Sequence, residues 1–416
     1  MKLSRTALAL QGVELPKPPV RIVHLGLGAF HRAHQAWYTQ HAADGAQWGI
    51  AAFSIRSAAA SAALAPQDGL STLVQRGVED VFDVLWPVVE VGDGSSAAGR
   101  HRIVELLASP ETAIVSLTIT EAGYQPGSPA LELLAEGLLA RERAGAEPIS
   151  LLPCDNLRSN GERLRLVLTD ALRAAEPGWL DSGQHHFVST SVDRITPRTT
   201  AADRRTVELA TGWEDAAPVV TEEYTSWVLQ GIESFPLGRP HWEDAGARFV
   251  TDIQPWEQRK LWMLNGAHTF LALAGQLRGH QTVAEAIADP ELLAGVRGFW
   301  AEVVPQLPVE VEAEAYAEQL LDRFANPRIE HRLAQISQDS VAKLQERVVP
   351  VWLAERGQGR SGAAALSIVE AWCRAMLAGV RSVDAADPGI DAALSEPEPR
   401  YALLTLVDSE IAKESR

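Results

Sequence analysis

The run Glu257-Gln258-Arg259-Lys260-Leu261-Trp262-Met263-Leu264-Asn265-Gly266-Ala267-His268 holds a carboxylate, an amine, an amide and an imidazole close together. On a helix turning about 100° per residue, with Lys260 at zero, Glu257 falls at ~60°, His268 at ~80° and Asn265 at ~140°. Trp262, Met263, Ala267 and Phe270 cover much of the other side. These side chains suit alcohol oxidation without a metal. A base must take the hydroxyl proton as hydride leaves the carbon, and a lysine does so when partial burial or nearby positive charge lowers its pKa. Asn265 can donate to the developing alkoxide or carbonyl oxygen. His268 can orient the hydroxyl, and Glu257 can pass the proton to water. The same spacing also fits a surface helix with a solvated polar face.

Hydride chemistry needs an acceptor. His24-Leu25-Gly26-Leu27-Gly28-Ala29-Phe30-His31 follows a strand-like run and opens a helix-like one. Glycines at such a turn let the backbone approach a pyrophosphate, and the helix N-terminus adds N–H groups and a favourable dipole. Gly26 and Gly28 fill the first two positions of G-x-G-x-x-G, and His31 stands at the third. The candidate cofactor residues are Gly26, Leu27, Gly28, Ala29, Phe30, His31 and Arg32. Arg56 and Ser57 join them from the end of the second predicted strand, and Thr120 from the end of the third. A carboxylate at the second strand's end would hold the 2′-hydroxyl of NAD, whereas an arginine can receive the 2′-phosphate of NADP. Ser54-Ile55-Arg56-Ser57 has no acid, so NAD and NADP both stay open. A stacked or solvated Arg56 is an equal alternative.

The elements that must position these residues change character along the chain. Arg21 to Leu25, Trp48 to Arg56, Ala113 to Thr120, Ile149 to Pro153 and Phe187 to Ile195 are predicted strands. They alternate with helical patterns over 31–43, 58–64 and 131–144, which argues for a mostly parallel, doubly wound sheet. Beyond Pro255 nearly every periodic stretch is helical, and Pro290 suits a first helical turn behind Asp289. The expected organisation is an α/β Rossmann-type N-terminal domain over 1–252 and a mostly α-helical catalytic and substrate domain over 253–416.

The length of 416 residues allows a sizeable core. The net charge of -17 argues against a nucleic-acid surface, whose affinity comes from basic stripes. No run of about 18 apolar residues occurs, so no membrane partner is expected. The two cysteines, Cys154 and Cys373, fit no zinc spacing. With no signal-peptide pattern, a cytoplasmic location is expected. His24, His31, His34 and His41 lack the cysteine or carboxylate that would complete a metal site. Cys154 has no base beside it that would make it a nucleophile. The oligomeric state has no sequence signature.

The chain resembles the mannitol dehydrogenase family, the polyol-specific long-chain dehydrogenases and reductases that include fructuronate reductase. The matching segments are IVHLGLGAFHRAHQ at 22–35, PQDGLSTLV at 66–74, SLTITEAGY at 116–124, CDNLRSNG at 154–161, SVDRITP at 191–197, KLWMLNGAH at 260–268 and RFANPRIEHR at 323–332. The resemblance implies a Rossmann-type domain and a helical domain with the active site between them. It implies zinc-independent chemistry with Lys260 as general acid/base. Asn265 and an asparagine of CDNLRSNG would bind the reacting oxygen, with Asn156 chosen over Asn160. His268 and Asp193 would meet the substrate, and Glu257 would lie in a proton path.

Two departures bear on substrate. The stretch between Tyr124 and Cys154 is short for the family. The family's Asp-Gly-Ser-x-Lys segment is here Asp339-Ser340-Val341-Ala342-Lys343. Arg328, Arg332 and Lys343 form a basic set that could hold a substrate carboxylate, or could simply pair with Glu330 and Asp339. The expected substrate is a small polyol or sugar acid, as in D-mannonate/D-fructuronate or D-mannitol/D-fructose. The alternative is a dinucleotide-binding sensor or decayed paralogue without turnover.

Overall fold

The computed structural model describes residues 1–176 and 185–414, and divides into units Met1–Gln254 and Pro255–Arg416. The N-terminal unit is built on six strands: β1 (Val20–Leu25), β2 (Gly49–Ser54), β3 (Val88–Asp93), β4 (Ile114–Leu117), β5 (Ser150–Pro153) and β6 (His186–Phe187). All pair in parallel, in the order β3-β2-β1-β4-β5-β6. This is the doubly wound dinucleotide-binding order, in which the crevice opens at the carboxyl end of β1, where the order reverses.

Alternation along each strand divides the core. Val23 and Leu25 of β1 join Phe53, Val115 and Leu151 beneath the helices Ala97–Ala108, Pro129–Arg143 and Asn160–Ala175. Ile22 instead packs with Ile50, Ile114, Tyr38, Trp227 and Trp242. His24 lies on Ile22's side of the strand, where an apolar residue would be expected.

Several expected elements are displaced. The predicted strand 113–120 stops at Leu117, because the amides of Ile119 and Thr120 turn to the Asp155 carboxylate. The predicted strand 187–195 is two pieces, His186–Phe187 and Thr190–Asp193. The predicted helix 31–43 spans Ala29–His41 and includes a wide turn over Arg32–Ala36. Ser71–Arg76 and Asp80–Leu85 form an unpredicted antiparallel hairpin, with Val219–Glu222 parallel to its first strand.

The C-terminal unit is helical among its described residues. Its centre is Gly266–Leu277, buried without a break from Gly266 to Gly275. Around it pack Pro290–Val303, Leu333–Ile336, Ser340–Arg347 and Ala363–Leu377. Asp289 caps Pro290–Val303 by accepting from the amides of Glu291 and Leu292, with Pro290 in the first turn.

Candidate functional site

The turn after β1 is shaped by one glycine. Gly26 has φ +109°, and a Cβ there would sit 2.0 Å from the Thr118 carbonyl oxygen, which is backbone and cannot yield. Its amide and that of Leu27 both donate to the Phe53 oxygen, at 2.9 and 3.0 Å. Gly28 begins the following helix, and a Cβ on it would touch only the Gly26 oxygen, at 3.6 Å. A cavity of about 460 Å³ opens there. Of the candidate cofactor residues, Gly26, Leu27, Gly28, Arg56, Ser57 and Thr120 line it. A glycine cradle at a strand-to-helix turn, facing a helix N-terminus, fits a dinucleotide pyrophosphate.

Ala29, Phe30, His31 and Arg32 do not line the cavity. Phe30 stacks on His34, with centroids 5.1 Å apart. Arg32 is buried, donating through Nε to the Gly28 oxygen at 3.1 Å and through Nη1 to the Ala217 oxygen. Burial brings its pKa down to about 10 against the pull of Asp215. His31 is fully buried and stacks on His24, with centroids 3.4 Å apart and planes 11° from parallel. Burial lowers His24 to about 3 and His31 well below its ordinary value, so both rings are neutral. Thr118 Oγ1 donates to the Gly26 oxygen at 2.7 Å and therefore accepts from His24 Nε2 at 3.0 Å, leaving His24 Nδ1 to accept from Ser116 Oγ at 2.8 Å.

The loop after β4 is fixed by Asp155. Its carboxylate accepts from the Ile119 amide (3.0 Å), the Thr120 amide (2.7 Å) and the Tyr124 hydroxyl (2.8 Å). Burial raises its pKa, and these donors and Arg56 oppose the shift. Thr120 is held at φ +64°, uncommon for a branched residue. Its hydroxyl accepts from Arg56 Nη2 at 3.0 Å. Of the two asparagines of CDNLRSNG, Asn160 is fully buried, donating to the oxygens of Asp155 (3.0 Å) and Thr190 (2.8 Å) and accepting from the Thr190 amide (2.8 Å). Asn156 is exposed. Asp193 is buried at the end of Thr190–Asp193. Cys154 is buried, which pushes its thiol pKa up and leaves it a poor nucleophile.

In the C-terminal unit, Lys260–Asn265 is a wide turn between two α-helical stretches. The Gly266 amide donates to Leu261, five residues back. The 100° wheel therefore needs correction. A wide turn holds one residue more than an α-turn, so every residue beyond it is turned back by about 100°, and His268 moves from ~80° to ~-20° relative to Lys260. Asn265 is drawn toward Lys260 in the same sense.

The wide turn is braced by Pro290–Val303. Trp300 Nε1 donates to the Met263 oxygen at 3.0 Å, and a Cβ on Gly266 would meet Phe299 Cε1 at 2.6 Å. Lys260 and Asn265 are half-buried, while Glu257 and His268 are buried. The His268 ring lies 4.7 Å from Phe324 and meets His331 edge-on at 4.8 Å. Arg259 faces the core, donating to the Val311 oxygen at 2.7 Å and lying over the Tyr316 ring.

Two members of the basic set have partners within the protein. Arg332 is exposed and pairs with Glu330. Lys343 Nζ donates to the oxygens of Ile336 (3.0 Å) and Gln338. Among the described residues, no group of three or more His, Cys, Asp or Glu side chains could hold a metal, and no helix could cross a membrane.

Residues 20–244 match the mannitol dehydrogenase Rossmann domain, and residues 252–388 match the mannitol dehydrogenase C-terminal domain. The chain belongs to the mannitol dehydrogenase family. It is an NAD(P)-dependent oxidoreductase of the polyol and sugar-acid type. It is 33% identical over 363 residues to D-mannonate oxidoreductase of Escherichia coli K12, covering 79% of this chain and 74% of that protein. It is 34% identical over 406 residues to D-arabinitol 4-dehydrogenase of Ralstonia nicotianae, covering 87% and 86%. Among solved structures, Pseudomonas fluorescens mannitol 2-dehydrogenase, in complex with NAD and D-mannitol, superposes with a TM-score of 0.81 at 29% identity, covering 100% and 99%.

Within this member of the family, two notable residues carry no assignment from sequence. Asp155 stands in CDNLRSNG and His331 in RFANPRIEHR. In each segment the more obvious candidates are neighbours, the asparagines and the arginines. The usable signal for His331 is an imidazole inside a matched segment, and the structure lays it against His268. Burial, together with Arg323, lowers its pKa to about 4.

Proposed function

We propose that this chain interconverts a secondary alcohol of a polyol or aldonate with the matching ketone, without a metal and with Lys260 as general acid/base. The observation that carries the reading is the wide turn, which brings Lys260, Asn265 and His268 toward one side of a helix that is apolar behind. A bound nicotinamide would take or give the hydride. Lys260 takes the hydroxyl proton during oxidation and returns it during reduction. Asn265 donates to the oxygen as charge develops on it. His268, braced by Phe324 and His331, orients the hydroxyl. Glu257, buried before Lys260 in the chain, relays the proton onward. Asn156 is assigned to the reacting oxygen and Asp193 to the substrate on the family resemblance. The binding of the Asn160 amide to backbone supports choosing Asn156.

D-mannonate/D-fructuronate is the first substrate pair, supported by the likeness to D-mannonate oxidoreductase, with Arg332 and Lys343 as candidate carboxylate ligands. The pairing of Arg332 with Glu330, and of Lys343 with two carbonyls, favours a second reading, a neutral pair such as D-mannitol/D-fructose. The test is reduced-nicotinamide absorbance with both dinucleotides, against fructuronate, tagaturonate, fructose, xylulose and the matching alcohols. Turnover of a keto acid supports the first pair, and turnover of neutral ketoses alone supports the second. Lys260→Ala should cut turnover by about 10²–10⁴-fold. Near-normal turnover in that variant would remove the mechanism.

A further inference from the structure

Among the described residues that line the dinucleotide cleft, Arg56 is the sole cation and no carboxylate is present. In this fold a carboxylate at the end of the second strand takes the ribose 2′-hydroxyl of NAD, whereas an arginine accommodates the 2′-phosphate of NADP. Here β2 ends at Ser54, followed by Ile55, Arg56, Ser57 and Ala58, and the next acid in sequence is Asp68.

Three carboxylates lie near this wall in chain or register, and none lines the cleft: Glu121, between the lining residues Thr120 and Ala122, is exposed. Asp93 is the register partner of Ser54 on β3, but it does not line the cleft, and its Oδ1 accepts from Ser95 N (3.0 Å) and Ser95 Oγ (2.7 Å). Asp155 spends both oxygens on Ile119, Thr120 and Tyr124. Arg56 is exposed and anchored by one hydrogen bond, from Nη2 to Thr120 Oγ1, out of the five N–H donors a guanidinium offers.

We propose that Arg56, with the Ser57 hydroxyl beside it, receives the adenosine 2′-phosphate, and that this protein prefers NADP(H) to NAD(H). A phosphate monoester carries about -1.5 to -2 charges at neutral pH. It accepts charge-assisted, forked hydrogen bonds from a guanidinium, which a ribose hydroxyl cannot match. The inference rests on the cleft and is independent of the substrate proposed above.

Calorimetric titration tests it without turnover. The probes are adenosine 2′,5′-bisphosphate against 5′-AMP, and NADPH against NADH, each at low and high salt. The 2′-phosphorylated member of each pair should bind about tenfold tighter or more, a gap of about 1.4 kcal/mol, and the gap should narrow with salt. Arg56→Gln, which can still hydrogen-bond Thr120, should weaken only the phosphorylated ligands and close the gap. Arg56→Glu should reverse it. Equal or tighter binding of 5′-AMP and NADH to the parent protein would overturn the proposal, as would a gap that survives Arg56→Gln in folded protein. Failure of the dehydrogenase mechanism would appear differently, as intact 2′-phosphate selectivity without turnover of any alcohol or ketone.

Discussion

Asp155→Asn tests whether the loop after β4 is held in shape for the dinucleotide. The carboxylate satisfies three donors: Ile119 N and Tyr124 Oη at Oδ2, and Thr120 N at Oδ1. An asparagine has one oxygen. Its best placement keeps that oxygen on the buried Ile119 amide and Tyr124, which turns its NH₂ against the Thr120 N–H. Losing a hydrogen bond to a charged group costs about 1.5–3 kcal/mol, and the exposed Thr120 amide recovers part of that from water. Relief of carboxylate burial offsets a little more. The unfavourable φ of Thr120, in a class costing about 1–3 kcal/mol, then loses its anchor. The loop should relax, moving Thr120 from the cavity wall and away from Arg56. A net loss of about 1.4 kcal/mol corresponds to about tenfold weaker dinucleotide binding. The assay is calorimetric titration of the favoured dinucleotide into parent, Asp155→Asn and Tyr124→Phe proteins, with circular dichroism confirming the fold. Asp155→Asn binding within about twofold of the parent would refute the reasoning, because the loop would then hold its shape without the carboxylate.

Gly266→Ala should destabilise the C-terminal unit by about 1–3 kcal/mol, the usual cost of overpacking, because its Cβ lands 2.6 Å from Phe299 Cε1; denaturant titration measures the loss, and Phe299→Leu in the same chain should restore part of it. Asn160→Ala strands the Thr190 amide and oxygen and the Asp155 oxygen, so it should cost about 3 kcal/mol or more, seen as a lower urea midpoint; an unchanged midpoint would contradict its bracing role. His331 is held neutral, with a folded pKa of about 4 below an unfolded value of 6.5, so the unfolded chain binds the extra proton between those values. Its contribution is full above pH 6.5 and is lost as pH falls toward 4, by up to about 1.4 kcal/mol per pH unit for one proton. His331→Gln should flatten the slope of unfolding free energy against pH by about one proton, and an unchanged slope would show that His331 does not titrate as argued.

The glycine turn is visible in sequence because Gly26 occupies a position that only glycine can fill, and the strand-to-helix switch around it follows from period. The change of character near Pro255 is visible for the same reason, since helical period replaces short β-branched runs. The hairpin of Ser71–Arg76 and Asp80–Leu85 is not, because Gly77-Val78-Glu79 between its strands lacks the Asn-Gly or Asp-Gly signal of a tight hairpin. The wide turns are hidden more deeply. A helical wheel assumes one angle per residue, and Lys260–Asn265 departs from that angle at the proposed site. Residue types there are legible in the sequence, while their relative directions depend on the turn. The third glycine position shows the opposite limit. His31 looks like a departure from a motif, and only the fold reveals that its ring is buried against His24, behind the turn and outside the cleft.

The wide turn at Lys260–Asn265 has a consequence for how this lineage tolerates insertions and deletions. It holds one residue beyond what an α-helix needs, so removing any single residue within it would leave a regular, well-packed helix. The chain would still fold, and His268, then seven residues after Lys260, would stay at ~-20°, where the wide turn already holds it. The swing of about 100° comes instead when the turn tightens to a regular helix with every residue kept. Among descendants of this sequence, a one-residue gap in KLWMLNGAH that spares lysine, asparagine and histidine would mark a protein that has lost the wide turn and kept the facing of Lys260 and His268.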